Sequence, residues 1–281
     1  VKRAQIVLCV LAVAAVVLLY AFGSTRVPPK NTGMVAAPMA SGQGVSAASL
    51  HTDSLIHQAK QGLSPDLLMR VTELENSVVR GDVKNQQIQA FRQLAHLWDS
   101  LKQPDLAAYY FGKAAVLQAN PQALQFAAGL FLNRVQQTSP GGLHTWQALQ
   151  ADSLLQLALQ LKPGNDTLQT MLAQATIEQG AVMQGVQQLL AIVKRDSNNV
   201  PAHLLLGRLS ITSGQYPRAI EHLQKVVSLQ PQNAEALYYL GVAYRETGHR
   251  QEAVRYFQQC KALIRDPDFD HEIDSLIQTM P

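Results

Sequence analysis

Cysteine is nearly missing: Cys9 and Cys260 are the two in 281 residues. One lies in an apolar N-terminal run and the other far downstream. The region after that run therefore has no internal disulfide, and no C-x-x-C redox or zinc element exists. Aromatic residues make up only 6% and charged residues 15%. Runs of alternating β-branched residues are scarce, which argues against a sheet protein. A basic surplus is lacking as well. The formal charge is +3, but residues 1–30 hold Lys2, Arg3, Arg26 and Lys30 and no acid, leaving 19 basic against 20 acidic residues beyond them. Such a near-neutral body lacks the concentrated basic surface with which a nucleic-acid binder displaces counterions.

Catalytic signatures are absent too. There is no Walker loop, no G-x-S-x-G and no H-E-x-x-H. The eight histidines are scattered. His96 and His203 fall on expected helices and His249 in an expected turn, as surface or packing residues. Asp152-Ser153 near His144 has no oxyanion-forming turn beside it. Gly42-Gln43-Gly44 follows no strand, as a dinucleotide fingerprint would. Asn165-Asp166-Thr167 matches a glycosylation acceptor and equally fits a turn with a helix cap. The expectation is a protein without catalytic residues, metal ligands or cofactor.

The stretch RDPDFDHEIDS, residues 265–275, tests that expectation, because D-x-D-x-D opens a calcium loop. Such a loop needs Gly at its sixth position and Glu at its twelfth. Counted from Asp266, those positions hold His271 and Ile277. Helix rules fit instead: Asp266 can cap, Pro267 suits the first position, and the acids lie near the positive end of the dipole. Phe269, Ile273, Leu276, Ile277 and Met280 then form one apolar face. Residues 268–281 are expected to be a capping helix.

Hydrophobic residues make up 47% of the chain, and Leu, Ala and Gln are abundant, so the protein should be almost wholly helical. Ile6 to Phe22 carries no charge over 17 residues, or about 25 Å of helix, at the short end of what spans a bilayer. Lys2 and Arg3 favour a cytoplasmic N-terminus and export of the rest. Residues 1–23 are expected to be a transmembrane signal anchor. A cleaved signal peptide is the competing reading, with Ala21-Phe22-Gly23 as a cleavage triplet. Residues 24–49, rich in Pro, Gly, Ala and Ser, form a flexible linker.

Two segments align without a gap. VPAHLLLGRLSITSGQYPRAIEHLQKVVSLQPQN spans 200–233, and AEALYYLGVAYRETGHRQEAVRYFQQCKALIRDP spans 234–267. Leu206-Gly207 falls on Leu240-Gly241, Gly214 on Gly248, Ala219 on Ala253 and Leu223 on Phe257, always 34 residues apart. With Tyr244 and Pro231, this pattern resembles the tetratricopeptide repeat (TPR) family. Small residues at 241 and 253 let two helices of a hairpin approach, and Gly248 suits a left-handed turn. One hairpin cannot bury its apolar face alone, so neighbours must stack.

The beat continues upstream. Residues 166–199 place Leu172-Ala173, Gly180, Gly185 and Leu189 in register. Gly185 stands where Ala is usual and is expected to loosen its helix slightly. Residues 88–121 place Phe91, Leu94-Ala95, Trp98, Ala107 and Phe111. Between them, 122–165 is expected to be a longer, divergent hairpin around Thr138-Ser139-Pro140-Gly141-Gly142. Residues 50–87 form N-terminal helices. There Ser64 caps, Pro65 takes the first position and Leu63 can staple onto Leu68. Leu67, Val71, Leu74 and Val78 give a stripe that suits either a half-repeat packed on the array or a coiled-coil dimer. The fold class is thus all-α, a TPR-type helix-hairpin solenoid preceded by a hydrophobic helix and a linker.

The resemblance implies a concave groove lined by the first helix of each repeat, holding a peptide or protein partner. By register the groove exposes Arg92, His96, Thr170, Gln174, Leu204, Arg208, Tyr238, Val242 and Arg245, a modestly basic, amide-rich set with apolar patches. It departs from the lysine-and-asparagine clamp of TPR proteins that grip chaperone C-termini. The layout resembles bacterial envelope TPR factors, which implies a membrane-tethered interaction scaffold, periplasmic if bacterial, in cell-envelope assembly or cytochrome maturation. The alternative is a structural spacer or oligomerisation subunit that uses the helices of residues 50–80.

Overall fold

The computed structural model describes residues 50–80 and 83–280, so the expected anchor and linker lie outside the described residues. Among the described residues thirteen α-helices follow one another: α1 Thr52–Gln61, α2 Pro65–Arg80, α3 Lys84–Ser100, α4 Pro104–Gln118, α5 Pro121–Gln137, α6 Gly142–Leu161, α7 Asp166–Glu178, α8 Val182–Arg195, α9 Val200–Thr212, α10 Tyr216–Leu229, α11 Ala234–Glu246, α12 Arg250–Ile264 and α13 Pro267–Gln278. Among the described residues there is no strand. None of their helices is long and apolar enough to cross a membrane.

Turn chemistry sets the hairpins. Gly180, Gly214 and Gly248 each hold the middle of a three-residue turn at φ 91°, 71° and 77°. The turn between α3 and α4 takes the same shape with Lys102, at φ 57°, where a side chain crowds the backbone. The following helices start with matching caps. Asn165, Asn199 and Asn233 each accept a backbone N–H three residues on, at 3.0–3.1 Å. Asn120 accepts two, from Gln122 and Ala123. Each such cap contributes about 1 kcal/mol.

Successive helices pack pairwise, and the first helices of the hairpins also meet: α5 touches α7, α7 touches α9, and α9 touches α11. This double layer is an all-α, TPR-like solenoid. Its core runs through it as linked clusters. The largest holds Leu124, Phe131, Trp146, Leu155 and Leu168. In the last repeat, Gly241 faces Phe257 so closely that an added Cβ would lie 2.6 Å from the ring. Gly207 meets Leu223 in the same way.

The N-terminal helices complete the array's first layer. Val71 is fully buried, and Leu67, Leu74 and Val78 pack with Leu94, Trp98 and Tyr110. The stripe that suited a dimer is therefore spent within the chain. Leu63 joins the same cluster together with Leu67, while Leu68 stays largely exposed. Polar ties reinforce the seam. Lys60 pairs with Glu75 at 2.6 Å, and the Tyr110 hydroxyl donates to the same carboxylate at 3.1 Å. Burial, and then Glu75, push the Tyr110 phenol well above its ordinary range. The Trp146 indole donates to Thr52 at 3.0 Å, tying α1 to α6.

Asp266 caps α13 by accepting from Asp268 and Phe269 backbone N–H groups at 2.9 and 3.0 Å. Ile273 and Met280 bury against Ala253 and Phe257, with Phe269 beside Tyr238 and Val242. Arg250 donates to the Met280 carbonyl at the other end. The acids of this stretch thus serve a helix start, and α13 covers the apolar face of α11 and α12.

One hairpin carries a pH-sensitive bond. The His203 Nε2 lies 3.2 Å from the Ser197 carbonyl, which can only accept, so it bears the proton. Its Nδ1 then accepts from His222 Nδ1, 3.1 Å away. Burial holds both imidazoles below the ordinary value of 6.5. Arg218 and Lys225 push the same way, and Glu221 and Asp196 oppose. When both rings are protonated, two N–H groups face each other. Because the folded values are lowered, this stabilisation is complete above about pH 6.5. It is lost as pH falls through the folded values. In urea titrations between pH 7.5 and 5, His222→Phe should show a shallower loss of stability than the parent chain. Parallel pH profiles would contradict the assignment.

Candidate partner-binding groove

The stacked first helices open a cavity of about 750 Å³ across α5, α7, α9 and α11. Its apolar surface comes from Val135 on α5, Ile177 on α7, and Leu205 and Leu209 on α9. Tyr238 and Tyr239 of α11 stand at one side, and Pro140 and His144 close the other. Amides from Gln136 and Gln174 line it between them.

Two side-chain pairs link the walls of the cavity. Arg208 Nη1 lies 3.8 Å from Glu235 Oε1, joining α9 to α11. His144 Nε2 lies 3.3 Å from Glu178 Oε2, joining α6 to α7. Burial raises the Tyr239 phenol, with Glu235 adding to the rise and Arg208 opposing it. Burial likewise raises Tyr238, helped by Glu272 and opposed by Arg245. Both phenols therefore keep their protons at neutral pH. Nothing here resembles a nucleophile paired with a base, and the arrangement can bury apolar side chains, donate hydrogen bonds and meet charge.

Of the nine residues expected by register, Gln174, Arg208 and Tyr238 line this cavity together. Thr170 is buried between helices, with its hydroxyl out of solvent's reach. Leu204 turns into the cluster of Ala236, Leu237 and Leu240. Val242 packs against the cluster of Ala253, Phe257, Ile273 and Met280. Arg245 bonds to Glu246 beside it, at 2.9 and 2.6 Å. His96 lines a separate cavity of about 630 Å³ between α2 and α3. Its ring meets the Phe111 ring edge-on at 5.2 Å. Arg92 stays half-buried on α3 and lines neither cavity. The open face thus runs obliquely, from the end of α5 to the first half of α11, because α13 occupies the rest of α11.

Residues missed by register include Leu205, Tyr239, Glu178, Glu235 and His144. Leu205 and Tyr239 stand 34 apart, so a face turned by one residue would have found them. His144 follows the loop that breaks the period and gives no such signal. The expected basic character is also corrected: Arg208 and Arg245 are each met by a glutamate.

Residues 207–248 match the family profile described as TPR repeat, and 234–267 match the one described as tetratricopeptide repeat. No curated protein matches the chain. Among solved structures, a thermophilic TPR protein of Thermus thermophilus is 17% identical, with a TM-score of 0.51, covering 68% of this chain and 99% of that one. PilW, a widely conserved type IV pilus biogenesis factor, is 17% identical at a TM-score of 0.51, covering 78% of this chain and 95% of its own. At that identity the likeness concerns fold alone. The chain therefore carries tetratricopeptide repeats over residues 207–267, within a longer TPR-like solenoid.

Proposed function

We propose that the chain is a non-catalytic interaction scaffold that holds a peptide or protein segment in the cavity between α5, α7, α9 and α11. The observation that carries this is the cavity itself: an apolar floor with amides and charges at its rim, on the face where the first helices meet. TPR repeats support partner binding as the class of function. The apolar run Ile6–Phe22 and the linker after it support a membrane tether that presents the groove on the exported side. Envelope assembly and cytochrome maturation are the processes this layout favours. The spacer reading loses its main footing, because the stripe on α2 is buried against α3 and α4.

A photoreactive side chain placed at exposed Thr212 should report on the groove, and one at exposed Gln187 on the back of α8. Full-length protein should leave membranes with detergent and not with high salt. Irradiated there, the Thr212 probe should form an adduct with a different protein, and the Gln187 probe should not. Adducts between copies of this chain from Gln187, with none from Thr212, would favour the spacer. Release by salt alone would remove the tether.

A further inference from the structure

We infer that the groove selects a segment presenting a lysine or arginine between apolar side chains, a partner chemistry that rests on the groove-binding reading above. The cavity has an apolar floor and an acidic rim. Glu178 on α7 and Glu235 on α11 face the same space from different helices. Arg208 stands 3.8 Å from Glu235, beyond hydrogen-bond length, so that carboxylate keeps accepting capacity. Glu178 meets His144, which is charged only when protonated. Two carboxylates thus face one permanently charged guanidinium.

The neighbours deepen the bias. Tyr238 and Tyr239 offer two protonated phenols whose ring faces attract a cation. Glu272 of α13 acts on the Tyr238 phenol from beyond the cavity. Arg245, a cation that also acts on the Tyr238 phenol, is engaged by Glu246 at 2.6 Å. An arriving ammonium or guanidinium would complete the shells of Glu178 and Glu235, while its flanking apolar side chains cover Leu205, Leu209 and Ile177. An acidic segment would instead bring a third carboxylate into a partly enclosed space, where like charges repel strongly.

The test uses two labelled peptides of equal length, one a Ser-Leu-Lys repeat and the other a Ser-Leu-Glu repeat. Anisotropy is read with the full chain in neutral detergent against a detergent-only blank. The lysine peptide should bind about tenfold tighter or more, and added salt should weaken it. Glu178→Gln, which leaves the Arg208–Glu235 pair in place, should narrow that preference, and Glu235→Gln should narrow it further. Thermal melts of both variants should match the parent. If the glutamate peptide binds as well, or if both Gln variants keep the full preference, the inference is overturned while peptide binding by the chain stands. If neither peptide binds, the inference and the peptide-groove reading fall together.

Discussion

Phe257→Ala is expected to destabilise the last repeat by about 3–5 kcal/mol, the usual cost of emptying a closed aromatic site. The ring is fully buried. It fills the space that Gly241 leaves, stacks edge-on with Tyr238 at 5.9 Å, and supports Ile273 and Met280 of α13. The residue facing the ring, Gly241, has no side chain with which to fill that gap. Contacts in a repeat array run between neighbours, so the loss should be local. Hydrogen exchange should accelerate in α11 to α13 and remain slow in α5 to α8. Groove affinity should fall too, since Glu235, Tyr238 and Tyr239 sit on the loosened helix. Uniform destabilisation along the chain would show that the array unfolds as one unit.

Gly185→Ala should also destabilise, by about 1–3 kcal/mol, although helix propensity alone predicts a gain. Alanine in place of glycine within a helix is worth about 0.5–1 kcal/mol. Packing opposes it here. A Cβ at this position would press on the Ile177 side chain and stand 2.8 Å from the Ala173 carbonyl oxygen. The second contact is with backbone and cannot be relieved by a rotamer change. Ile177→Ala in the same chain should recover part of the loss, giving a coupling energy between the two sites. A higher urea midpoint for Gly185→Ala would mean that the helices are not in close approach. Gly185, expected to loosen α8 slightly, also stands where α7 and α8 approach closely.

Much of the solenoid is legible in the sequence because small residues and turns repeat. Gly180, Gly214 and Gly248 mark the hairpin turns, and Asn165, Asn199 and Asn233 mark the next helix starts. The swap in small residues can be read in the register, but its packing role is visible only in three dimensions. Repeats 200–233 and 234–267 carry glycine on the first helix and alanine on the second. Residues 166–199 carry Ala173 and Gly185 in the opposite order. The first repeat's helix begins at Lys84 and not at 88, since the pattern fixes the contact residues and leaves the extra turn at the start free.

The groove was less legible for three physical reasons. A one-residue rotation packs Leu204, partly buried, against the cluster of α11 and brings the more buried Leu205 to the cavity wall. The pair Arg208–Glu235 spans 27 residues, so a count of charges along one helix cannot show that they meet. The loop before α6 breaks the period, which hides His144.

α13 has a consequence for growth of the array. Its inner face occupies the apolar surface on which another hairpin would stack. Its outer face shows Asp268, His271 and Glu272 to water. A second copy approaching end-on would have to peel this helix away or press its own side against those acids. α13 thus stands between that apolar surface and a second copy approaching end-on.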